Sequence, residues 1–237
     1  MPETFKILLL IFFLSSVWTS SVILQEKFTS TDYLSYFNRQ CSYTDPGCNN
    51  HYATLNFQGT TRLRISIFPE DKTFSKGSPT DPRTELRMKE NALKPGVQYT
   101  TTWNVNIQNY TPGYYFCFLQ LFNANAGPGV MLRWENDQYS LWFDDVKTHI
   151  ILKGSIQEDI DQTSSWRVTT KLENNNNGYA KVERKRSSES SFSTLGEYKG
   201  KTQIGADDHY VKIGIYTQHT DVKRLDMYVN DLEIVQD

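Results

Sequence analysis

"YVKIGIYTQ", Tyr210 to Gln218, is the stretch on which the reading of this chain turns. Val211, Ile213 and Ile215 alternate on one side, the pattern of a strand with one face on a core. The other side carries Tyr210, Lys212, Gly214, Tyr216 and Gln218. An ordinary solvent face mixes Thr, Ser, Lys and Glu. Two tyrosines, an ammonium and an amide in one row raise the question of what that row touches.

The same strand pattern recurs along the chain. "ATLNFQ", "TRLRISIF", "RTELRMK", "QYTTTWNVNIQ", "YYFCFLQLF", "VMLRWEN", "YSLWFDD", "WRVTTKLE", "YAKVERKR" and "RLDMYVNDLEIV" are short and rich in Thr, Val, Ile or aromatic residues. Turn signals separate them: Lys-Pro-Gly at 94–96, Thr-Pro-Gly at 111–113, Gly-Pro-Gly at 127–129 and Asn-Gly at 177–178. The run Asn174 to Asn177 reads as a hairpin tip. Helical periodicity is confined to "TDYLSYFNRQ" at 31–40 and "SIQEDIDQ" at 155–162, each good for a turn or two. Many short strands with close turns predict an all-β sandwich or barrel.

The chain has 237 residues and opens with "MPETFKILLLIFFLSSVWTSSV". Lys6, an apolar run from Ile7 to Leu14 and then small residues predict a secretory signal peptide over residues 1–21. The run is shorter than the ~20 residues a membrane span needs. The expectation is a secreted monomer with one domain over 22–237 and no membrane attachment after cleavage.

Cysteine usage suits that compartment. Cys41 and Cys48, in "CSYTDPGC", flank a Pro-Gly turn and are placed to close a short disulfide loop. Cys117, inside "YYFCFLQLF", reads as a buried free thiol. Asn109-Tyr110-Thr111 is a glycosylation sequon, with Asn109 as the acceptor. A net charge of −2 with no lysine-rich block argues against a nucleic-acid binder, so any acidic ligand needs locally placed cations. Aromatics make up 14% of the chain, enough to furnish a sheet surface that stacks on sugar faces. Trp103, Trp134 and Trp142 are candidates for that task, although strand tryptophans belong more often to cores. Asp144-Asp145 and Asp207-Asp208 are adjacent pairs whose members point apart on a strand, so no metal site is expected.

Two further segments carry chemistry. In "RTELR", Arg83, Glu85 and Arg87 share one face, where the glutamate can pair with both guanidinium groups. Gln120, in "FCFLQLFN", is a strand amide among apolar neighbours and needs partners or a ligand. Taken singly, an Arg-x-Glu-x-Arg strand is more often a solvated ladder, and a strand glutamine a satisfied core group.

Taken in order, "RTELR", Gln120 in "QLF" and "YVKIGIYTQ" closely resemble the three signature regions of the family 7 alginate lyases. Those signatures read R-T/S-E-L/V-R, Q-I/V-H and Y-F-K-A-G-V-Y-N-Q. The resemblance covers about residues 50 to 237, and the related glucuronan lyases share the jelly-roll form. It implies a two-sheet antiparallel β-jelly roll, concanavalin-like, whose concave sheet binds an acidic polysaccharide. The odd face of 210–218 would then be the floor of a sugar groove.

The resemblance also implies a reaction. In β-elimination a proton leaves C5 of a uronate, the bond from C4 to the glycosidic oxygen breaks, and a C4–C5 double bond remains. Arg83 and Gln120 would neutralise the adjoining carboxylate. Arg87 and Lys212 would hold neighbouring carboxylates, Glu85 would orient the arginines, and Tyr210 and Gln218 would line the groove. Tyr216 would protonate the leaving oxygen and serve as a candidate base as well. No cofactor is implied.

The sequence departs from the signature at Phe122, which stands where the family has histidine. Tyr216 then carries both proton transfers, or another histidine takes one. A free tyrosine with pKa ~10 costs ~4 kcal/mol to ionise at pH 7, so guanidinium neighbours matter. His209 and His219 have the opposite parity to Tyr216, and His149 reads as a loop residue. His51 is the candidate base. Two functional classes stand: a uronate-polymer lyase, and a lectin-like protein with the same groove and no chemistry.

Overall fold

In the computed structural model the described residues are 20–41, 48–71, 82–143, 146–218, 221 and 223–237. Residues 1–19, which carry most of the expected signal peptide, and His219 lie outside them, as do Asp144 and Asp145. The described residues form fifteen strands. They are β1 Ser21–Glu26, β2 Phe37–Gln40, β3 Tyr52–Phe57, β4 Thr60–Ile67, β5 Arg83–Met88, β6 Gln98–Gln108, β7 Phe116–Asn123 and β8 Gly127–Glu135. The rest are β9 Gln138–Phe143, β10 Thr148–Ser155, β11 Thr163–Lys171, β12 Tyr179–Arg186, β13 Ser193–Lys199, β14 His209–Tyr216 and β15 Leu225–Gln236. Of the two segments with helical periodicity, 31–40 holds a 3-10 turn at Asp32–Ser35 and then strand β2 rather than further helix, and 155–162 holds one at Ile156–Glu158.

Two antiparallel sheets result, the jelly-roll sandwich expected from the sequence. One runs β13-β12-β11-β6-β15-β4-β3, with β1 paired to the second half of β15; the other runs β10-β9-β8-β7-β14-β5-β2. Alternation decides what each strand buries. Trp103 of β6 and Trp166 of β11 point inward from the first sheet, and Phe118 and Trp134 of β7 and β8 from the second; each is about 1% exposed. Phe118 and Trp134 stack with ring centroids 4.7 Å apart, and Phe118 meets Trp166 edge-on at 5.5 Å. Trp103 and Trp134 are therefore core residues, and burying a side chain the size of Phe118 contributes about 1.5–3 kcal/mol.

Several local expectations are corrected. Gly127–Gly129 is not a turn but the start of β8, where Phe122 pairs with Pro128 at a register shift. His149 is not in a loop but on β10. Cys41 and Cys48 form the disulfide, and Cys117 is a buried free thiol. Asn109, just past β6, is exposed and donates from Nδ2 to Asp226 at 2.7 Å.

Candidate active site

The outer face of the second sheet is built from residues in transverse register. On β5 and β14, Arg83 pairs with Tyr216, Glu85 with Gly214 and Arg87 with Lys212. On β14 and β7, Lys212 pairs with Gln120, Tyr210 with Phe122 and Tyr216 with Cys117. Antiparallel pairing puts directly opposed side chains about 5 Å apart on one face. The three sequence segments, remote along the chain, thus become one surface because their strands are neighbours. Two transverse rows follow: Arg83, Tyr216, Cys117 and Arg133; then Arg87, Lys212, Gln120, Met131, Trp142 and His149.

Bulges tune this face. Register shifts fall between Cys117 and Leu119 against β8, and between Ile213 and Tyr216 against β7. The first turns Phe118 and Leu119 both toward the core and leaves Cys117 on the outer face with Gln120. Cys117 stands opposite Tyr216 on this face. A cavity of about 270 Å³ opens there, lined by Arg83, Gln120, Phe122, Pro128, Met131, Arg133, Tyr216 and Gln218.

Within the face, charge and ring alternate. The Arg83 guanidinium carbon lies 4.9 Å from the Tyr216 ring centre, and that of Arg87 lies 4.6 Å from Tyr210. Such contacts hold a planar cation in place over a ring face. Glu85 does not orient the arginines as expected. Its Oε1 accepts from Gln120 Nε2 at 2.5 Å, and its Oε2 is 3.6 Å from Lys212 Nζ. Lys212 also lies 4.3 Å from the Phe122 ring centre, and Phe122 packs on Tyr210 at 5.5 Å.

This row is more enclosed than an outward strand face suggests. Tyr210, Lys212, Gln120 and Glu85 are 2%, 3%, 4% and 2% exposed, while Gln218 at the strand end is open. Burial lowers the pKa of Lys212, with Glu85 opposing and Arg83 and Arg87 assisting. Burial raises that of Tyr210, with Arg87 opposing. Burial likewise pushes the Cys117 thiol well above the usual range.

His51 stands elsewhere. It precedes β3 in the other sheet, 3% exposed, with Nε2 at 2.9 Å from Asp71 Oδ2 and its ring edge-on to Phe68. The structure does not bring it into the cavity with Tyr216. His209 is fully buried on the opposite face of β14. Among the described residues no group of His, Cys, Asp or Glu is arranged to hold a metal ion.

Arg133 and Tyr115 are not among the residues the sequence singles out, and Trp142 stands there only as a candidate for stacking on sugars. Arg133 lies 4.8 Å from the Tyr115 ring centre and 4.4 Å from that of Trp142, and His149 stacks on Trp142 at 5.7 Å. The signal was present in "VMLRWEN", where Met131 and Arg133 alternate with the core residues Val130, Leu132 and Trp134.

The fold is a two-sheet β-jelly roll, and several solved polysaccharide lyases share it. The chain is similar in structure to an alginate lyase of polysaccharide lyase family 14 from Aplysia kurodai, with TM-score 0.63 and 11% identity over 92% of this chain and 100% of that one. An endo-β-1,4-glucuronan lyase from Trichoderma reesei gives TM-score 0.61 and 11% identity over 90% and 95%. A family 7 alginate lyase gives 0.59 and 13% over 86% and 95%. No family model and no curated protein sequence matches the chain.

Proposed function

We propose that the protein is a secreted polysaccharide lyase that cleaves a uronate polymer of alginate or glucuronan type by β-elimination, with Tyr216 as the central catalytic residue. One observation carries the reading: Tyr216, Arg83 and Gln120 line a single cavity. Among the described residues, four cations (Arg83, Arg87, Arg133 and Lys212) stand on this face around the carboxylate of Glu85, and a polyanion suits that arrangement.

In this reading a uronate carboxylate lies against Arg83 and the Gln120 amide. Withdrawal of its charge stabilises the negative charge that develops when the C5 proton leaves. Tyr216 takes that proton as tyrosinate and returns it to the glycosidic oxygen as the bond from C4 breaks. Products are an unsaturated uronate at one new end and a free hydroxyl at the other. The Arg83 guanidinium lies over the Tyr216 ring, beside the phenol that carries the proton transfers. Gln218 lines the cavity at the strand end, and Arg87 with Lys212 extends the cationic floor.

The test follows the ultraviolet absorbance of the C4–C5 double bond on polymannuronate, polyguluronate, glucuronan and a pectin. Wild type should produce it on at least one polymer, and Tyr216→Phe should lose about 10²–10⁴-fold in rate. Undiminished turnover by Tyr216→Phe would displace Tyr216 from the mechanism. A second reading, a lectin-like groove without chemistry, is favoured by Phe122 in place of a proton-transferring histidine. It predicts a flat trace on every polymer with retained binding to one.

A further inference from the structure

We propose that Arg133 is a second carboxylate-binding post, on the far side of Tyr216 from Arg83, and that the two posts select polymers with uronates in succession. The inference rests on the reading of the groove as a uronate site. Arg83, Tyr216, Cys117 and Arg133 stand in one transverse row on four neighbouring strands. With strands ~4.8 Å apart, Tyr216 is one spacing from Arg83 and two from Arg133, and the arginines are about 14 Å apart at Cα. Cys117 is the row member between Tyr216 and Arg133, and both arginines line the cavity.

Arg133 is built as a binding group. Tyr115 and Trp142 fix its guanidinium, at 4.8 and 4.4 Å from their ring centres, and Tyr115 in turn meets Tyr216 edge-on at 6.3 Å. Its remaining contact among the described residues is a 3.5 Å approach of Nη2 to Met131 Sδ, and its buried Nε has no hydrogen-bond partner. Nothing in these contacts supplies a counter-charge. A pre-oriented guanidinium at a cavity wall without a carboxylate of its own recognises one brought by the ligand. A carboxylate on only one side of the cleaved bond would use Arg83 and leave Arg133 empty.

The test measures oligosaccharide affinity in the Tyr216→Phe background, where no ligand is consumed. The probes are a tetrasaccharide of uronates throughout and one alternating uronate with neutral sugar. The all-uronate probe should bind more tightly. Arg133→Met should weaken it about 10- to 100-fold and leave the alternating probe unchanged. Arg133→Lys, which keeps the charge and loses the fork, should fall between. Equal loss for both probes in Arg133→Met and Arg133→Lys would make Arg133 a structural residue and overturn the inference, as would no loss for either. Failure of the Tyr216→Phe parent to bind any uronate probe would instead overturn the uronate groove itself, and the inference with it.

Discussion

Gln120 Nε2 reaches Glu85 Oε1 at 2.5 Å although β14 runs between their strands. Gly214 explains how. It is the β14 residue opposite Glu85, and having no side chain it leaves the ground between them open. The bond therefore straps β5 to β7 across β14, and Lys212 joins it from the same strand as the glycine.

Because Glu85 and Lys212 are both nearly enclosed, removing one leaves the other unpaired in a place where solvent cannot help. Glu85→Ala should destabilise the protein by about 3–5 kcal/mol. Glu85→Gln keeps an acceptor for Gln120 and should cost less. Urea unfolding of the three proteins checks this. A loss below about 1 kcal/mol for the alanine variant would mean that the strap is dispensable.

Gly214 itself faces a stricter demand. Its φ is +152°, and a Cβ there would lie 2.3 Å from the Thr84 carbonyl oxygen and 2.6 Å from the Glu85 Cα. Both obstacles are main chain, so β5 has to move away from β14. Gly214→Ala should cost about 1–3 kcal/mol and, by displacing Arg83 from Tyr216, weaken ligand binding as well. A crystal structure of the variant with the Arg83–Tyr216 contact intact would contradict this account.

The sequence made much of this face legible, and the limits have physical causes. Strict alternation in "RTELRM" and "YVKIGIY" put Arg83, Glu85 and Arg87 on one face and Tyr210, Lys212 and Tyr216 on another, and pairing joined them. Strands β10 and β13, which the sequence left unassigned, lie at sheet edges, as does β2, whose Phe37–Gln40 fell in the segment 31–40 read as helical; β1 pairs with only half of β15. An edge strand buries little: β10 has one buried position in eight, so no alternation survives to be read. Cys117 shows a different limit. Simple parity groups it with Leu119 and Leu121, and only the bulge moves it opposite Tyr216 on the outer face. Glu85's choice of Gln120 and Lys212 over the arginines was also out of reach, because strand order decides which side chains meet across a sheet.

Lys212 makes both stability and binding depend on pH. In the unfolded chain Lys212 titrates near ~10.4; in the folded protein burial holds it lower. Below the folded value both states carry the proton, and the cost of burying it is present in full. Between the folded value and ~10.4 the unfolded chain binds more protons, so stability rises with pH in that window. The contribution is fully recovered above ~10.4 and lost as pH falls through the folded value. Binding runs the other way, since deprotonation removes a cation from the groove. Affinity of Tyr216→Phe for an all-uronate oligosaccharide should therefore decline at a pH below the ordinary lysine range. Tyr210 does not contribute, because burial keeps its hydroxyl neutral beyond the usual value. Adding Lys212→Met should abolish the decline and lower affinity at neutral pH. A decline of equal size with and without Lys212 would assign it to another group.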